Sequence, residues 1–493
     1  MAKILLLNPS KWGRGITPIW IPSHLAILKS HGHEVKLFDC TFYKDWMVNE
    51  IAFNTDNLQY KPSDYANYIT LKTSDVFKDL MDCIKSFSPD LIFWSAISSH
   101  LHGEGEYVNI QYGHQLIKKL KTKAIKIAGG IQPTAKPLEM FKLFPKVDFF
   151  IRGESEFVLC ELADNLKNKK KFLPTKGIIY RNNGKVFINP KQDIISDMDL
   201  IPPYDYSIFE DQVFYRPYNG RIVNAVDYEL SRGCIYACSY CVETVIQKYY
   251  GFEKIKNGLL LNASNYLRCK SAKRVFEEFS ALNKKYGVTL IRCQDSNFLT
   301  IKRQVLKDLA GLISRSDLDI KLYIETRPEG INPKTIKLLK KLKVDGVGTG
   351  IEVSTETFRK NSLNRYASQE KIIKAFKLLK ESNIKRTAYN IIGLPKENEA
   401  MIIETIKFNQ LINPDNITVA FYSPFIGTIE QIKSKDMNYF DDYEYNLDGA
   451  LRSRSKSTLV SKRLLEFYKK YFVQLVIEGV DKIDQLKKKE GIK

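Results

Sequence analysis

The 493-residue sequence predicts an α/β chain in three parts. A doubly wound parallel sheet occupies residues 1–165, a partial (βα)6 barrel residues 223–430, and a helical C-terminal region residues 431–493, with a linker over 166–222. Three observations predict this. From residue 3 to 156, runs rich in Val, Ile, Leu and Phe alternate with helix-like segments. A second series of six such units begins at 223. Between them stands a mixed stretch with the Pro-Pro pair of IPPYDYSIF, which marks a non-helical crossing.

KILLLN, EVKLFD, DLIFWSA, AIKIAGG and VDFFIRG read as five strands. They lack clean alternation, as strands buried on both faces do. PSHLAILKSHG, SDVFKDLMDCIKSF and ESEFVLCELADNL read as the helices between them. In such a sheet, ligands bind beyond the carboxyl ends of the strands. An insertion at about residues 41–75 interrupts the pattern. The second series runs through NAVDYELSR, VTLIRCQDS, DIKLYIETR, DGVGTGIEV, KRTAYNIIG and NITVAFYS. Helices such as SAKRVFEEFSALNKKYG and SQEKIIKAFKLLKESN separate most of them. Six units are too few for an eight-stranded barrel and suit an open, partial one. DMNYFDDYEYNLD is acidic and aromatic, and an amphipathic helical tail follows it.

Composition narrows the function. Hydrophobic residues make 44% and charged residues 27% of the chain, as in a folded protein rather than a disordered one. No run of 18 apolar residues occurs and no signal peptide is evident, so no transmembrane segment is expected. Eight scattered cysteines form no disulfide framework and fit a reducing cytoplasm. The net charge of +20 leaves a nucleic acid or other polyanion open as a partner, although solvated lysine-rich helix faces explain it as well.

Three of the eight cysteines fall in ELSRGCIYACSYCVE, residues 229–243, spaced C-x3-C-x2-C. A structural zinc ion wants four protein ligands. No second Cys or His pair follows at zinc spacing, and all six histidines lie at or before His114. Three thiolates on a four-iron cluster would leave one iron open to an outside ligand.

CIYACSYC resembles the cluster motif of the radical S-adenosylmethionine (SAM) enzymes, with Tyr240 as the aromatic residue before the third cysteine. The resemblance implies that Cys234, Cys238 and Cys241 hold a [4Fe-4S] cluster. S-adenosylmethionine would then bind the open iron and be cleaved to a 5'-deoxyadenosyl radical. It implies an electron donor such as flavodoxin or ferredoxin. RCQDSNF resembles the segment that meets the methionine amino group and points to Asp295. IETRPEGI offers Arg327 as a fork for a carboxylate. GTGIEVSTE resembles the segment whose Glu touches the ribose, which points to Glu352, and NIIGLP resembles the region near adenine.

The N-terminal part is similar to the Rossmann-like cobalamin-binding domain of many radical enzymes. LNP, WSAISS, AGGIQPT and IRGESE fall in order after strands one, three, four and five. The similarity implies that Gly129 and Gly130 admit a bulky ring and tail, that Ser95 and Ser98 hydrogen-bond the tail, and that Arg152, Gly153 and Glu154 form the domain-closing loop. The first loop reads NPSKWGRG, without the D-x-H-x-x-G of the cobalamin mutases, so it offers cobalt no histidine; His24 remains an alternative ligand. Together these resemblances imply a cobalamin-dependent methyltransferase acting on an unactivated carbon of a small molecule. Oxidation, cyclisation or rearrangement on the same architecture is the alternative. A nucleic-acid-binding iron-sulfur or zinc protein is another.

The remaining cysteines, Cys40, Cys83, Cys160, Cys269 and Cys293, read as small buried residues. His31 and His33 read as a solvated turn. The long segment after the cysteines either shapes the substrate cavity or packs a helix on the barrel mouth.

Overall fold

The computed structural model describes residues 1–48, 50–97, 106–168, 174–422, 425–436 and 459–492. Strands β1 (Lys3–Asn8), β2 (Glu34–Asp39), β3 (Leu91–Trp94), β4 (Ile125–Ala128) and β5 (Phe149–Ile151) form a parallel sheet in the order β2-β1-β3-β4-β5. Successive residues of a strand face opposite sides, so the apolar runs feed two cores. Ile4, Leu6 and Phe93 pack with α1 (Trp20–Ser30) and α4 (Glu156–Lys167). Leu5, Leu7 and Trp94 pack with α2 (Val76–Phe87) and α3 (Glu106–Ile117). The strand order reverses between β1 and β3, which makes the loops after them the switch point where ligands bind.

The expected parallel sheet is extended by two strands from the segment read as linker. β6 (Ile178–Asn182) and β7 (Lys185–Ile188) pair antiparallel, β6 on β5. Asn183-Gly184 forms their turn with positive φ at both positions, the dipeptide that tight hairpins favour. The first unit therefore runs about 20 residues beyond its expected end.

The second sheet has the six expected parallel strands. They are β9 (Arg221–Tyr228), β10 (Leu290–Cys293), β11 (Lys321–Glu325), β12 (Val344–Glu352), β13 (Lys385–Ile392) and β14 (Asn416–Phe421), in that spatial order. A seventh strand, β8 (Tyr215–Tyr218), joins the β9 edge antiparallel. After the cysteines comes α5 (Glu243–Tyr250), and α6 (Ala272–Tyr286) leads into β10. Gly346, Gly348 and Gly350 recur at every second position of β12. A Cβ at Gly348 would stand 2.5 Å from Tyr389 Oη and 2.8 Å from Tyr323 Oη. Glycine there lets tyrosines from neighbouring strands fill the barrel interior.

A partial barrel leaves two sheet edges. Here the 41–75 insertion and the tail close the β14 edge. Gln59 Oε1 accepts the Val419 amide at 2.8 Å, and Lys469 donates to the Val419 carbonyl. Asn416 bridges to Asn219 beside β8 at 3.0 Å. Lys469 lies on α7 (Lys462–Glu478), whose Leu465, Tyr468, Phe472 and Leu475 pack over β14. Gly479 ends that helix, so the tail is two helices, the second spanning Ile483–Lys489. DMNYFDDYEYNLD lies, apart from its first residue, outside the described residues.

The turn after α1 is not solvated throughout. His33 is buried, accepts the Ala2 amide at Nδ1 (3.3 Å) and shares Asp164 with exposed His31. All eight cysteines are free thiols; Cys40, Cys160 and Cys293 are buried, and Cys83 and Cys269 are half-buried. Among the described residues, no helix is long and apolar enough to cross a membrane.

The two units meet through buried polar contacts. Asp227 of β9 holds Arg216 in a two-bond fork (2.9 and 2.5 Å) and accepts Thr17 N and Oγ1 from the loop after β1. Removing one partner of a buried pair strands the other charge. Asp227→Ala is therefore expected to lower unfolding stability by about 3–5 kcal/mol, measured as a shift in urea unfolding of the full chain.

Candidate functional site

A cavity of about 530 Å³ occupies the barrel interior. Both units wall it: Arg14 and Gln59–Lys61 from the first, and residues of β8 and of β10 to β14 from the second. Cys234, Cys238 and Cys241 line one end.

The cysteine loop is held on all sides. Gly233 turns the chain at φ +95°, and a Cβ there would meet Tyr266 O at 2.5 Å, so only glycine fits. Gln247 of α5 donates to the carbonyls of Cys234 and Tyr236, both at 3.0 Å. Asn364 donates to Ala237 O at 2.7 Å, and Ser239 Oγ to Ser362 O at 2.7 Å. Burial raises the pKa of Cys234 and Cys241, so a metal must displace their protons to bind. The three sulfurs do not converge on one point. Among the described residues, three ligand atoms come within 4.8 Å of one another only at His31, Cys160 and Asp164. A single tetrahedral zinc would hold sulfurs about 3.8 Å apart, so the spacing suits a larger group.

Tyr240 and Glu352 reach the cavity together, the Tyr240 hydroxyl donating to Glu352 Oε1 at 2.9 Å. Glu352 has φ +62°, at a bulge in the β12–β13 pairing, and Arg365 stands 3.7 Å from its carboxylate. Such a conformation in a non-glycine residue persists only where its surroundings impose it. Arg327 also lines the cavity. Its Nη1 is 3.4 Å from Cys238 Sγ and its guanidinium lies 3.7 Å over the Tyr236 ring. The fork expected to be open is paired with Glu329 of its own loop at 2.5 Å.

Asp295 departs from expectation. It is absent from the cavity wall, which Arg292 and Ser296 line instead. Asp295 lies two residues past the end of β10, where the chain has left the strand and turns. Asp295 Oδ1 accepts Leu230 N, Ser231 N and Ser231 Oγ at 2.6–3.0 Å and so braces the entry to the cysteine loop. The position reaching the cysteine end is Ser296, which donates to buried Glu243 at 2.5 Å.

At the strand ends of the first unit, Gly129 and Gly130 pack against Ser95. Their Cβ atoms would stand 2.8 Å from Ser95 O and 3.0 Å from Ser95 Oγ. Ser95 itself has φ +63°. Ser98 lies outside the described residues. Arg152 lies 4.8 Å over the Tyr249 ring, the Gly153 amide donates to Thr134 Oγ1 at 2.9 Å, and Glu154 pairs with Arg268 at 2.8 Å. This loop thus joins the two units. His24 is unavailable as a metal ligand, since Nδ1 bonds Trp20 O at 2.6 Å and Nε2 bonds Ser155 Oγ at 2.9 Å. Sequence reasoning missed Gln132, two residues after Gly130. Its side chain is buried, with neither amide atom hydrogen-bonded. An orphaned amide at the end of β4 fits a polar ligand there. Arg14, Arg292, Tyr323, Tyr389 and Arg365 were also missed. Strand parity could have found Arg292, Tyr323 and Tyr389.

Burial pushes the Asp295 carboxyl up to about 7, only partly opposed by the Ser231 and Leu230 hydrogen bonds. The unfolded value is about 3.9, so the folded chain keeps this proton over a range in which the unfolded chain has lost it. Its contribution to stability is full below about pH 4 and is lost as pH rises to about 7. Urea midpoints at pH 5 and 8 should therefore differ less in Asp295→Asn than in the wild type.

Residues 228–408 match the Radical SAM superfamily. An uncharacterised methyltransferase of Pyrococcus horikoshii is 26% identical over 355 residues, 71% of each chain. The anaerobic magnesium-protoporphyrin IX monomethyl ester cyclase of Rubrivivax gelatinosus is 26% identical over 390 residues, 77% of this chain and 65% of the cyclase. The chain thus spans just under two thirds of that cyclase. Among solved structures, the radical SAM methyltransferase TsrM of Kitasatospora setae, with cobalamin and a [4Fe-4S] cluster bound, superposes with a TM-score of 0.63. The match has 16% identity and covers 89% of this chain and 78% of TsrM. Residues 228–408 thus form a radical SAM domain, and the domain that precedes it shares the fold seen in TsrM.

Proposed function

We propose that the chain is a cobalamin-dependent radical SAM methyltransferase acting on an unactivated carbon of a small molecule. The observation that carries this reading is the three-cysteine loop at one end of a cavity walled by both domains. Cys234, Cys238 and Cys241 would hold a [4Fe-4S] cluster. Tyr240, Glu352 and Arg327, with Arg365, would hold S-adenosylmethionine. Gly129, Gly130, Ser95 and Gln132 would border cobalamin. When bound, the cluster with S-adenosylmethionine supplies a hydrogen-abstracting radical, and cobalamin supplies a methyl group.

The chain's own residues bind, orient and exclude water. Arg327 opposes the negative charge that accumulates where thiolates gather. The Tyr240–Glu352–Arg365 chain fixes an acceptor beside the cysteines, suited to hydroxyl groups. Tyr422, Phe421 and Phe425 line the wall and keep water from a reactive intermediate. Arg152, Gly153 and Glu154 contribute by joining the domains, so their effect on cobalamin would come through domain position.

Two measurements test the reading. Anaerobic reconstitution should give a brown protein with about four irons per chain, lost when the three cysteines become Ala. Stoichiometric zinc instead of iron would overturn it. Turnover with substrate and a flavodoxin or ferredoxin as electron donor should yield both 5'-deoxyadenosine and S-adenosylhomocysteine, with a product heavier by one methylene. The similarity to a cyclase keeps oxidation, cyclisation or rearrangement as the second reading. Product with 5'-deoxyadenosine but without S-adenosylhomocysteine would select it.

A further inference from the structure

We propose that the cavity wall away from the cysteines binds an anionic group of the substrate, a carboxylate or a phosphate, through Arg292. The substrate's apolar body would then lie against Tyr323 and Tyr389. The proposal rests on the reading that the chemistry takes place in this cavity.

Four cationic side chains line this part of the wall: Arg14, Lys61, Arg216 and Arg292. Arg216 is neutralised by Asp227 through two hydrogen bonds. Asp227 also accepts Gln294 Nε2 at 2.7 Å and Thr17 N and Oγ1 at 3.2 and 3.4 Å. A carboxylate offers about four lone-pair sites, and five donors already converge on this one. Asp227 therefore has no site left for Arg292. Arg292 is half-buried and forms no hydrogen bond or ion pair among the described residues; a ring face, that of Tyr323, stands 5.4 Å away. Its nitrogens are not sealed in the protein interior but open to the cavity.

Arg14 is close enough for its charge to oppose that of Arg292, while Asp227 favours it. With Asp227 saturated, the charge of Arg292 is best matched by an anion that the ligand brings. A planar fork suits a carboxylate or a phosphate. Of the acids that line the cavity, Glu352 is engaged by Tyr240 and Arg365, and Glu325 accepts the Tyr389 hydroxyl at 3.0 Å, two residues nearer the cysteine end of β11 than Tyr323. Arg14 belongs to the loop after β1 and Arg292 to β10, so an anion between them would bridge the two domains.

This site is distinct from the one expected for S-adenosylmethionine. Arg327 and Arg365 stand at the cysteine end, beside Cys238 and Glu352. Arg292 pairs with Tyr323 inside the sheet, whereas Arg327 and Arg365 lie in loops beyond the ends of β11 and β12.

Calorimetric titration of the cluster- and cobalamin-loaded protein with phenyl phosphate and with phenylacetate tests the assignment. One or both probes should bind one-to-one, and the tighter one identifies the anion. Arg292→Gln should weaken that binding by about tenfold or more, the range of a lost charge-assisted hydrogen bond. Arg292→Lys should recover part of it. The affinity for S-adenosylmethionine should stay unchanged, and unchanged iron content and circular dichroism would show that the variants fold. The assignment is overturned if neither probe binds the wild type at millimolar concentration, if Arg292→Gln binds as the wild type does, or if S-adenosylmethionine displaces the probe. Absence of S-adenosylmethionine cleavage would instead sink the enzyme reading, so the two failures are distinguishable.

Discussion

A buried ionic knot between the two domains fixes where the cysteine loop can stand. Arg232, two residues before Cys234, pairs with Glu156 at 2.5 Å, Glu229 at 2.7 Å and Glu154 at 3.4 Å. Arg268 adds a second cation on Glu154 at 2.8 Å. Burial alone would raise the Glu156 pKa, but Arg232 and His24 outweigh it and the carboxyl titrates below its usual range. Burial likewise opposes the charge on Arg232, and the surrounding carboxylates overcome it. Desolvating so many charges makes the knot a weak source of net stability, whereas removing one member would be severe. Its role is better read as registration. Because Glu154 and Glu156 belong to the end of β5 and the start of α4, the first domain grips the segment that leads into the cysteines. The strand that leads into this knot is registered a second time by Thr17 on Asp227.

The same constraint explains the 152–154 loop. From the sequence these residues resembled a cofactor-closing element, and they do lie at a strand's carboxyl end. Their contacts, however, go to Tyr249, Tyr250, Arg232 and Arg268. Whatever binds at the switch point feels this loop through the domain joint.

The strands were legible because burial on both faces leaves an apolar run that no solvent-facing alternation obscures. All five parallel strands of the first sheet and all six of the second stand where the runs fall. The missed strands β6, β7 and β8 are hairpin partners toward sheet edges, mostly half-buried or exposed, and thus show no comparable run. Their signal was local: Asn183-Gly184 and Asn219-Gly220, both with positive φ. The three cysteines were legible from spacing alone. Asp295 lies past the end of β10, and its bonds to Leu230 and Ser231 join residues 65 and 64 positions apart, which the local motif does not announce. The closure of the barrel by Gln59 was not legible at all. It depends on contact between residues 360 positions apart, and nothing local in NLQYKP announces it.

The closure shows what the insertion and the tail do for the chemistry. An open sheet edge would expose the Val419 amide and carbonyl and let water enter between β14 and β8. Gln59 and Lys469 meet those two groups from separate parts of the chain, and both side chains are buried. The barrel is thus completed by side chains rather than by further strands. The glycines of β12 make room for Tyr323 and Tyr389, which form part of the cavity wall. Its cations stand at two places, Arg327 and Arg365 at the cysteine end and Arg292 on the wall beyond it. Cations at separate points in one cavity favour a ligand that carries its charge at an end.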